Sequence, residues 1–496
     1  MTRRFLAATC LTLLTACGAA GSSTGTDTAT DPVDTTVPGG GADTEISWKP
    51  CESDASLKCA RFSVPYDWSD PSVGSFSLYL VMRPANMRTA RIGSMLVNPG
   101  GPGFGGSYLA MGAENYFSSD LLDRFDIVGF DPRGTGESTP VIDCVDNYDP
   151  YFDVDPTPEN EEERDALIDS SKLFAEECAK RSGEILPWIS TNAAVRDMNA
   201  IRAALGEDKI SYFGFSYGSE LGATWATMFP DTVRVAVLDG ATDPDADYVQ
   251  SGLDQAVGFE KQLDTFLERC SKDPTCLFHN DGKTVKAFDA LMAALDDTPL
   301  VVSKTRAPVN LAVAMTAVSK AMYSSTMWEE LEYALDAAQK GDGKGLLALN
   351  DQYYERNPDG TYDTSLEAFN AISCLDDPGP TTIEESEAQD KKFFEAAPRM
   401  APGFTGGYGC VFWPAKADRR IEITGKGAGP IVVIGTTGDA ATPLASSRKM
   451  ADKLEDGRLV VVTANRHTGY GENACVVDAV DAYVITTKIT FEEKAC

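Results

Sequence analysis

The stretch that decides the reading is Ile210-Ser211-Tyr212-Phe213-Gly214-Phe215-Ser216-Tyr217-Gly218-Ser219-Glu220-Leu221. A short apolar run enters Gly-x-Ser-x-Gly, and a helical pattern leaves it towards Met228. This is the context of a nucleophile elbow. The flanking glycines permit a sharp strand-to-helix turn that lifts the Ser216 hydroxyl clear of the backbone. The helix N-terminus then offers N–H groups and a positive dipole to a developing oxyanion. Gly-x-Ser-x-Gly alone is a weak signal in a chain rich in Gly and Ser, so the weight rests on the strand and helix around it.

A serine needs a base, and the chain holds two histidines, His279 and His467. His279 sits beside Cys276 and Asn280 in a polar stretch and reads as a solvated loop residue. His467, in Arg466-His467-Thr468-Gly469-Tyr470-Gly471, follows the strand candidate Leu459 to Thr463 and precedes the last helical pattern. It falls where a Ser…acid…His order requires it. Asp439, in Gly438-Asp439-Ala440-Ala441-Thr442-Pro443, is the candidate orienting acid; Asp239, ending the strand candidate Val233 to Leu238, is its rival. Thr442 reads as a helix cap, with support of Asp439 as the alternative. Two backbone N–H groups must meet the oxyanion. Tyr217 supplies one, and Gly101, in Asn98-Pro99-Gly100-Gly101-Pro102-Gly103, is the candidate for the other.

The rest of the chain alternates strands and helices in the manner of a mostly parallel α/β sheet. Further strand candidates are Ala60 to Val64, Ser77 to Met82, Ser94 to Val97, Ile127 to Phe130 and Ile431 to Gly435. Helical patterns include Ala194 to Leu205 and Pro443 to Leu454. Residues 245–427 break that rhythm. They are mainly helical, with Leu253 to Leu267 and Met327 to Ala338 as examples, and read as a cap inserted after the sixth core strand. The expected core is therefore 46–244 with 428–496.

The amino terminus reads as an address. Arg3 and Arg4 precede a short apolar run that ends in Leu14-Thr15-Ala16-Cys17, which resembles a bacterial lipobox. Residues 1–17 are thus the expected signal peptide, with Cys17 lipidated, and the Gly/Ser/Thr/Asp-rich residues 18–45 a flexible tether. An ordinary secretory signal is the alternative. No later stretch is long and apolar enough for a membrane helix, so the membrane is expected as a partner only through the lipid.

Of twelve cysteines, ten remain after Cys10 and Cys17: Cys51, Cys59, Cys144, Cys178, Cys270, Cys276, Cys374, Cys410, Cys475 and Cys496. An even number suits disulfides in an exported chain. Sequence leaves the connectivity open. Pairing neighbours in order, Cys51 with Cys59 through to Cys475 with Cys496, staples each local segment and is the favoured scheme. No Cys-x-x-Cys spacing and so few histidines argue against a metal site, and no cofactor is expected. With 43 Lys plus Arg against 75 Asp plus Glu, the net charge of −32 makes nucleic acid a poor partner.

On Asn98 to Gly103, Gly129 to Gly136, Thr191 to Gly206 leading into Gly214 to Gly218, Leu238-Asp239-Gly240, Cys374, Cys410 with Trp413-Pro414, Gly438 to Pro443 and His467, the chain resembles a family. It is the α/β-hydrolase exopeptidases grouped with proline iminopeptidase and the actinobacterial tripeptidyl aminopeptidases. The resemblance runs from Cys51 to the C-terminus. It implies an α/β-hydrolase fold, Ser216, Asp439 and His467 as a triad, Gly101 and Tyr217 as oxyanion donors, and a peptide with a free amino terminus as substrate. Pro99 stands where proline iminopeptidases usually carry His, which fits the tripeptidyl branch better. The family holds the substrate amine with acidic cap residues; here the candidates are Glu220, Asp376 and Asp377, for each of which simple surface solvation is the plainer reading. Three functions follow: an exported aminopeptidase, an esterase or lipase on the same fold, or a non-catalytic binding lipoprotein.

Overall fold

The computed structural model describes residues 41–496; the expected signal peptide, Cys17 and most of the tether lie outside them. Ten strands form one sheet: β1 (Lys49–Pro50), β2 (Lys58–Pro65), β3 (Ser75–Arg83), β4 (Gly93–Asn98), β5 (Phe125–Phe130), β6 (Ile210–Phe215), β7 (Val233–Asp239), β8 (Ile431–Thr436), β9 (Gly457–Val462) and β10 (Glu493–Ala495). Their spatial order is β1-β2-β3-β5-β4-β6-β7-β8-β9-β10. The first three pairings are antiparallel, and every pairing from β5 onward is parallel. All eight expected strands are present. The cap follows Val233–Asp239, the sixth of the expected strands; it is numbered β7 here because the two-residue β1 adds an edge pairing that periodicity cannot reveal.

β4, β5 and β8 are buried at every position, and apolar clusters cover the sheet on both faces. That is why their sequences read as continuous apolar runs and not as alternating ones. In a parallel sheet of this kind the carboxyl ends of the strands share one edge, and loops following them meet there. Asn98, Ser216, Asp239, Asp439 and His467 all follow or end such strands, so a site assembled from distant parts of the chain is a consequence of topology.

The inserted helices include Tyr248–Lys272, Leu311–Met322, Trp328–Gln339 and Ser365–Asp376. The first three bury a cluster of their own, with Phe259, Leu263, Phe266, Val318, Trp328 and Leu335 among its members, whereas Ser365–Asp376 packs Ala368, Ala371, Ile372 and Leu375 into the cluster on the sheet. Tyr148 and Phe152 belong to the cap's cluster too, although they precede the insertion in the chain. The cap thus draws on a segment of the expected 46–244 core, stapled by Cys144–Cys178.

All five disulfides join neighbours in order: Cys51–Cys59, Cys144–Cys178, Cys270–Cys276, Cys374–Cys410 and Cys475–Cys496. Two of them brace the ends of the sheet. Cys51 follows β1 and bonds Cys59 within β2, while Cys475, in the last helix Ala474–Thr486, bonds Cys496 just past β10. Short edge strands make few ladder bonds of their own, so a covalent tie at each end limits fraying.

Arg133 and Asp197 form a fully buried ion pair, with Arg133 also donating to the carbonyls of Pro65, Tyr66 and Trp188. Every donor direction of the guanidinium is used, which is what lets a charge be buried there.

Candidate active site

The turn between β6 and the helix Tyr217–Met228 is as tight as its glycines suggest. A Cβ on Gly214 would lie 2.2 Å from the Gly218 carbonyl oxygen, so no larger residue fits there. Ser216 takes φ 55° and ψ −125°, a region non-glycine residues rarely enter, and the surroundings impose it. Its N–H donates to the Asp239 carbonyl at 2.8 Å, and its own carbonyl accepts from Ser219 at 2.8 Å. Gly100 (φ +104°) packs directly on this turn; a Cβ there would sit 2.6 Å from the Phe215 oxygen and 2.8 Å from the Ser216 Cβ. Tyr217 opens its helix, so its N–H has no helical carbonyl to bond and is free for an oxyanion. Gly101, Ser216 and Tyr217 line one cavity.

His467 and Asp439 meet as expected. The imidazole Nδ1 lies 2.9 and 3.0 Å from the two Asp439 carboxylate oxygens. Asp439 is further held by the Thr442 N–H at 2.8 Å, the Thr442 hydroxyl at 3.1 Å and the Thr468 N–H at 3.1 Å. The helix Leu444–Lys453 has Pro443 at its N-cap, so Thr442 does not cap it: support of Asp439 is its observed role, and its hydroxyl also lies 3.3 Å from His467 Nδ1. His467 Nε2 is buried and makes no hydrogen bond among the described residues, leaving it open for proton exchange. Burial disfavours the imidazolium, but the charge and hydrogen bond of Asp439, with Asp239 behind it, outweigh this and hold the pKa above its ordinary value.

The rival acid does something else. Asp239 is fully buried and accepts from the N–H groups of Gly469 at 2.7 Å and Tyr470 at 2.8 Å. It ties the loop carrying His467 to the strand beside Ser216. Burial pushes its carboxyl up to about 6, against the pull of those two donors. His279 is not simply solvated: half-buried, its Nδ1 bonds the Cys270 carbonyl at 2.8 Å, next to the Cys270–Cys276 bridge. Of the cysteines, Cys410 lines the cavity, held there by its bridge to Cys374. Cys51, Cys59, Cys475 and Cys496 are not brought to the site; their place at the two sheet edges makes them structural.

Glu220, Asp376 and Asp377 all face the cavity that holds Ser216, whose volume is about 480 Å³. They are not the solvated surface groups their sequence context suggests; Glu220 and Asp376 are 8% and 6% exposed. Arg420 stands among them, 3.1 Å from Glu220 and 3.4 Å from Asp377. Asp376 instead accepts from the Thr191 N–H at 2.9 Å and the Thr191 hydroxyl at 2.6 Å. Thr191 also bonds the Tyr217 hydroxyl, which links this acidic end to the residue after the serine. Burial, and then the neighbouring Glu220, push the Asp376 carboxyl up to about 8. Arg420 and Thr191 are neighbours of these carboxylates that the residue-by-residue reading did not single out. Thr191 opens one of the segments that carry the family resemblance, whereas Asp418-Arg419-Arg420 carries no motif at all.

With sheet order and site in hand, the class is defined: the chain belongs to the α/β hydrolase fold family, which it matches over residues 93–474. It is 34% identical over 463 residues to the serine protease Hip1 of Mycobacterium tuberculosis, covering 89% of this chain and 88% of that one. It is 35% identical to carboxylesterase B of the same species, over 88% and 87% of the two chains. Against the tripeptidyl aminopeptidase of Streptomyces lividans it is 30% identical, over 91% and 86%. A proline iminopeptidase structure from Mycobacterium smegmatis aligns over 86% of this chain and 97% of its own, at 16% identity and a TM-score of 0.37. The protein is a serine hydrolase, which sets aside the non-catalytic reading.

Proposed function

We propose that this hydrolase is an exported aminopeptidase of tripeptidyl type, which releases short peptides from substrate amino termini through an acyl-enzyme at Ser216. The observation that carries this is the acidic end of the cavity. Glu220, Asp376 and Asp377 gather around Arg420 in the same cavity that Ser216 lines. An enclosed site with more carboxylates than cations suits a substrate ammonium group. Relatives named serine protease and tripeptidyl aminopeptidase agree with it.

In this reading Ser216 Oγ attacks the scissile carbonyl carbon while His467 Nε2 takes its proton. The tetrahedral oxyanion accepts from the N–H groups of Gly101 and Tyr217, and Asp439 holds the imidazole tautomer and balances its charge. The C–N bond then breaks, the leaving amine takes the proton from His467, and the amino-terminal fragment stays as an ester on Ser216. Water, deprotonated by His467, releases that fragment. Because the acyl fragment carries the free amine, the distance from Ser216 to the acidic end sets its length. The leader, Cys17 and the five disulfides support an extracytoplasmic, lipid-anchored protein.

The carboxylesterase relative favours a second reading, hydrolysis of esters in the same cavity. A fluorogenic peptide series with free and blocked amino termini, run beside short-chain esters, separates the two. Free-amine tripeptides are expected to be cleaved well and their blocked forms hardly at all. Equal cleavage of blocked peptides, with esters preferred over both, overturns the aminopeptidase reading.

A further inference from the structure

His467 is gripped from the core through Asp439, but its backbone is gripped from the cap. The residues just after the cap helix Leu311–Met322 run alongside the His467 loop: Ser324 and Arg466 form an antiparallel β-bridge. The His467 N–H donates to the Tyr323 carbonyl at 2.7 Å, and the Ser325 N–H donates to the Asn465 carbonyl at 2.9 Å. The Tyr323 ring stands edge-on to the imidazole, with centroids 5.6 Å apart and planes at 77°. Thr316, Ser319 and Tyr323, from the same cap helix and its end, line the substrate cavity.

We propose that Tyr323 and Ser325 are positioning residues for the base, so that the cap element facing the substrate also fixes the place of the His467 imidazole. The inference rests on the reading of His467 as the base. Its physical reason is tolerance. Two backbone hydrogen bonds and one ring contact add little to cap docking, yet a displacement of about 1 Å at a catalytic group can cost 10²-fold in rate. A bridge of this strength placed at the base itself therefore matters more for rate than for stability. The core side cannot substitute for it. Asp439 and Thr442 hold the imidazole and Asp239 holds Gly469 and Tyr470, but the backbone N–H of His467 is bonded to the cap.

Ser325→Pro isolates the bridge. Ser325 opens a short 3-10 turn, where proline is tolerated, and Ser324 is already extended (φ −157°, ψ 135°), as a residue before proline must be. The substitution removes one cross-bridge N–H and sets a ring carbon against the Asn465 carbonyl. In the full folded domain, kcat is expected to fall about tenfold on peptide and ester alike, with KM within twofold. Ser325→Ala, which keeps the N–H, should restore the rate. The groups facing the imidazole are Asp439, Asp239, Arg466 and Tyr323. Loosening the Asp439 pair should therefore move the acid limb of the kcat/KM profile to lower pH. In a Ser216→Ala, His279→Ala background a single imidazole remains to be followed by NMR, and the same downward shift is expected on adding Ser325→Pro. Should Ser325→Pro fail to fold, Tyr323→Leu, which keeps the carbonyl and loses the ring, should lower kcat several-fold with the same downward movement of the acid limb. Wild-type kcat and an unmoved profile in whichever variant folds overturn the inference. If His467→Ala itself keeps activity, the reading of the base fails instead, and the two failures are thereby distinguished.

Discussion

The two walls of the active-site cavity are built on different terms. On the sheet side each candidate group is held by several bonds to fixed backbone. Ser216 is locked between Asp239 and Ser219, Asp439 takes bonds from Thr442, Thr468 and His467, and Asp239 pins the loop beyond. On the opposite wall, three carboxylates crowd around Arg420, and Asp376 is kept largely protonated by burial and by Glu220. The sheet wall is pre-organised for chemistry that never varies. The acidic wall leaves charge unbalanced, which is the condition for a ligand's charge to matter.

Substitutions on the sheet wall should have the largest effects. Ser216→Ala and His467→Ala should each lose on the order of 10⁴ or more in kcat, and the double variant little beyond, because the two act as a unit. A phosphonate probe should add once, on Ser216; mass spectrometry that finds another serine labelled would remove the reason to call this wall catalytic. Asp439→Asn should follow at about 10³ to 10⁴ with normal folding, since the wrong imidazole tautomer is then favoured. Asp239→Asn, which keeps one acceptor oxygen for Gly469 and Tyr470, should lose far less; the reverse ranking would make Asp239 the orienting acid.

The acidic wall should answer in KM and not in kcat. Glu220→Gln or Asp377→Asn is expected to raise KM for free-amine peptides by about 10 to 100-fold, the worth of a charge-assisted hydrogen bond. Ester substrates without an amine should be nearly unaffected. Equal losses on both substrate types would mean these carboxylates only hold the wall together.

A smaller difference between the walls should show in pH dependence. Asp376 has a folded pKa of about 8, raised above its unfolded value, so its proton stabilises the fold fully at low pH. That contribution is lost as pH rises from the ordinary aspartate range through 8, by at most about 1.4 kcal/mol per pH unit. Asp376→Asn lacks this loss. Its melting temperature relative to wild type should therefore climb from mildly acid pH to about 8 and level off above. A flat difference would show that Asp376 is already ionised in the folded protein. Smallest of all, His279→Ala should leave turnover unchanged and cost about 1 kcal/mol of stability, the worth of its bond to Cys270.

The sequence was most legible where local geometry and chemistry coincide. Gly214-Phe215-Ser216-Tyr217-Gly218 needs its glycines because backbone from the strand and the helix nearly touch there, and that demand is written in residue type. Nearest-neighbour disulfides such as Cys51–Cys59 and Cys475–Cys496 were legible for a related reason, since close cysteines close short loops at low entropic cost. The short strand Lys49–Pro50 was not legible, nor the membership of Tyr148 and Phe152 in the cap's core, because both depend on what lies opposite them and not on their own period. Thr442 was read as a cap because Thr before Pro commonly is one; only the neighbouring imidazole and carboxylate give its hydroxyl another partner.

The fold, the order of serine, acid and histidine, and the choice of His467 over His279 could all be had from the unfolded string of residues. They follow from chain order, residue type and strand-to-helix rhythm, all of them local or one-dimensional quantities. Folding in three dimensions was needed to show that Asp439 and not Asp239 faces the imidazole, although both end or follow neighbouring strands. It was needed again to gather Glu220, Asp376, Asp377 and Arg420, the first and last of them 200 residues apart in the chain, into one cluster on the cavity. A carboxylate reads as surface until burial is known, because its usual fate is water. What takes it out of water is the low-dielectric wall that other parts of the chain fold around it.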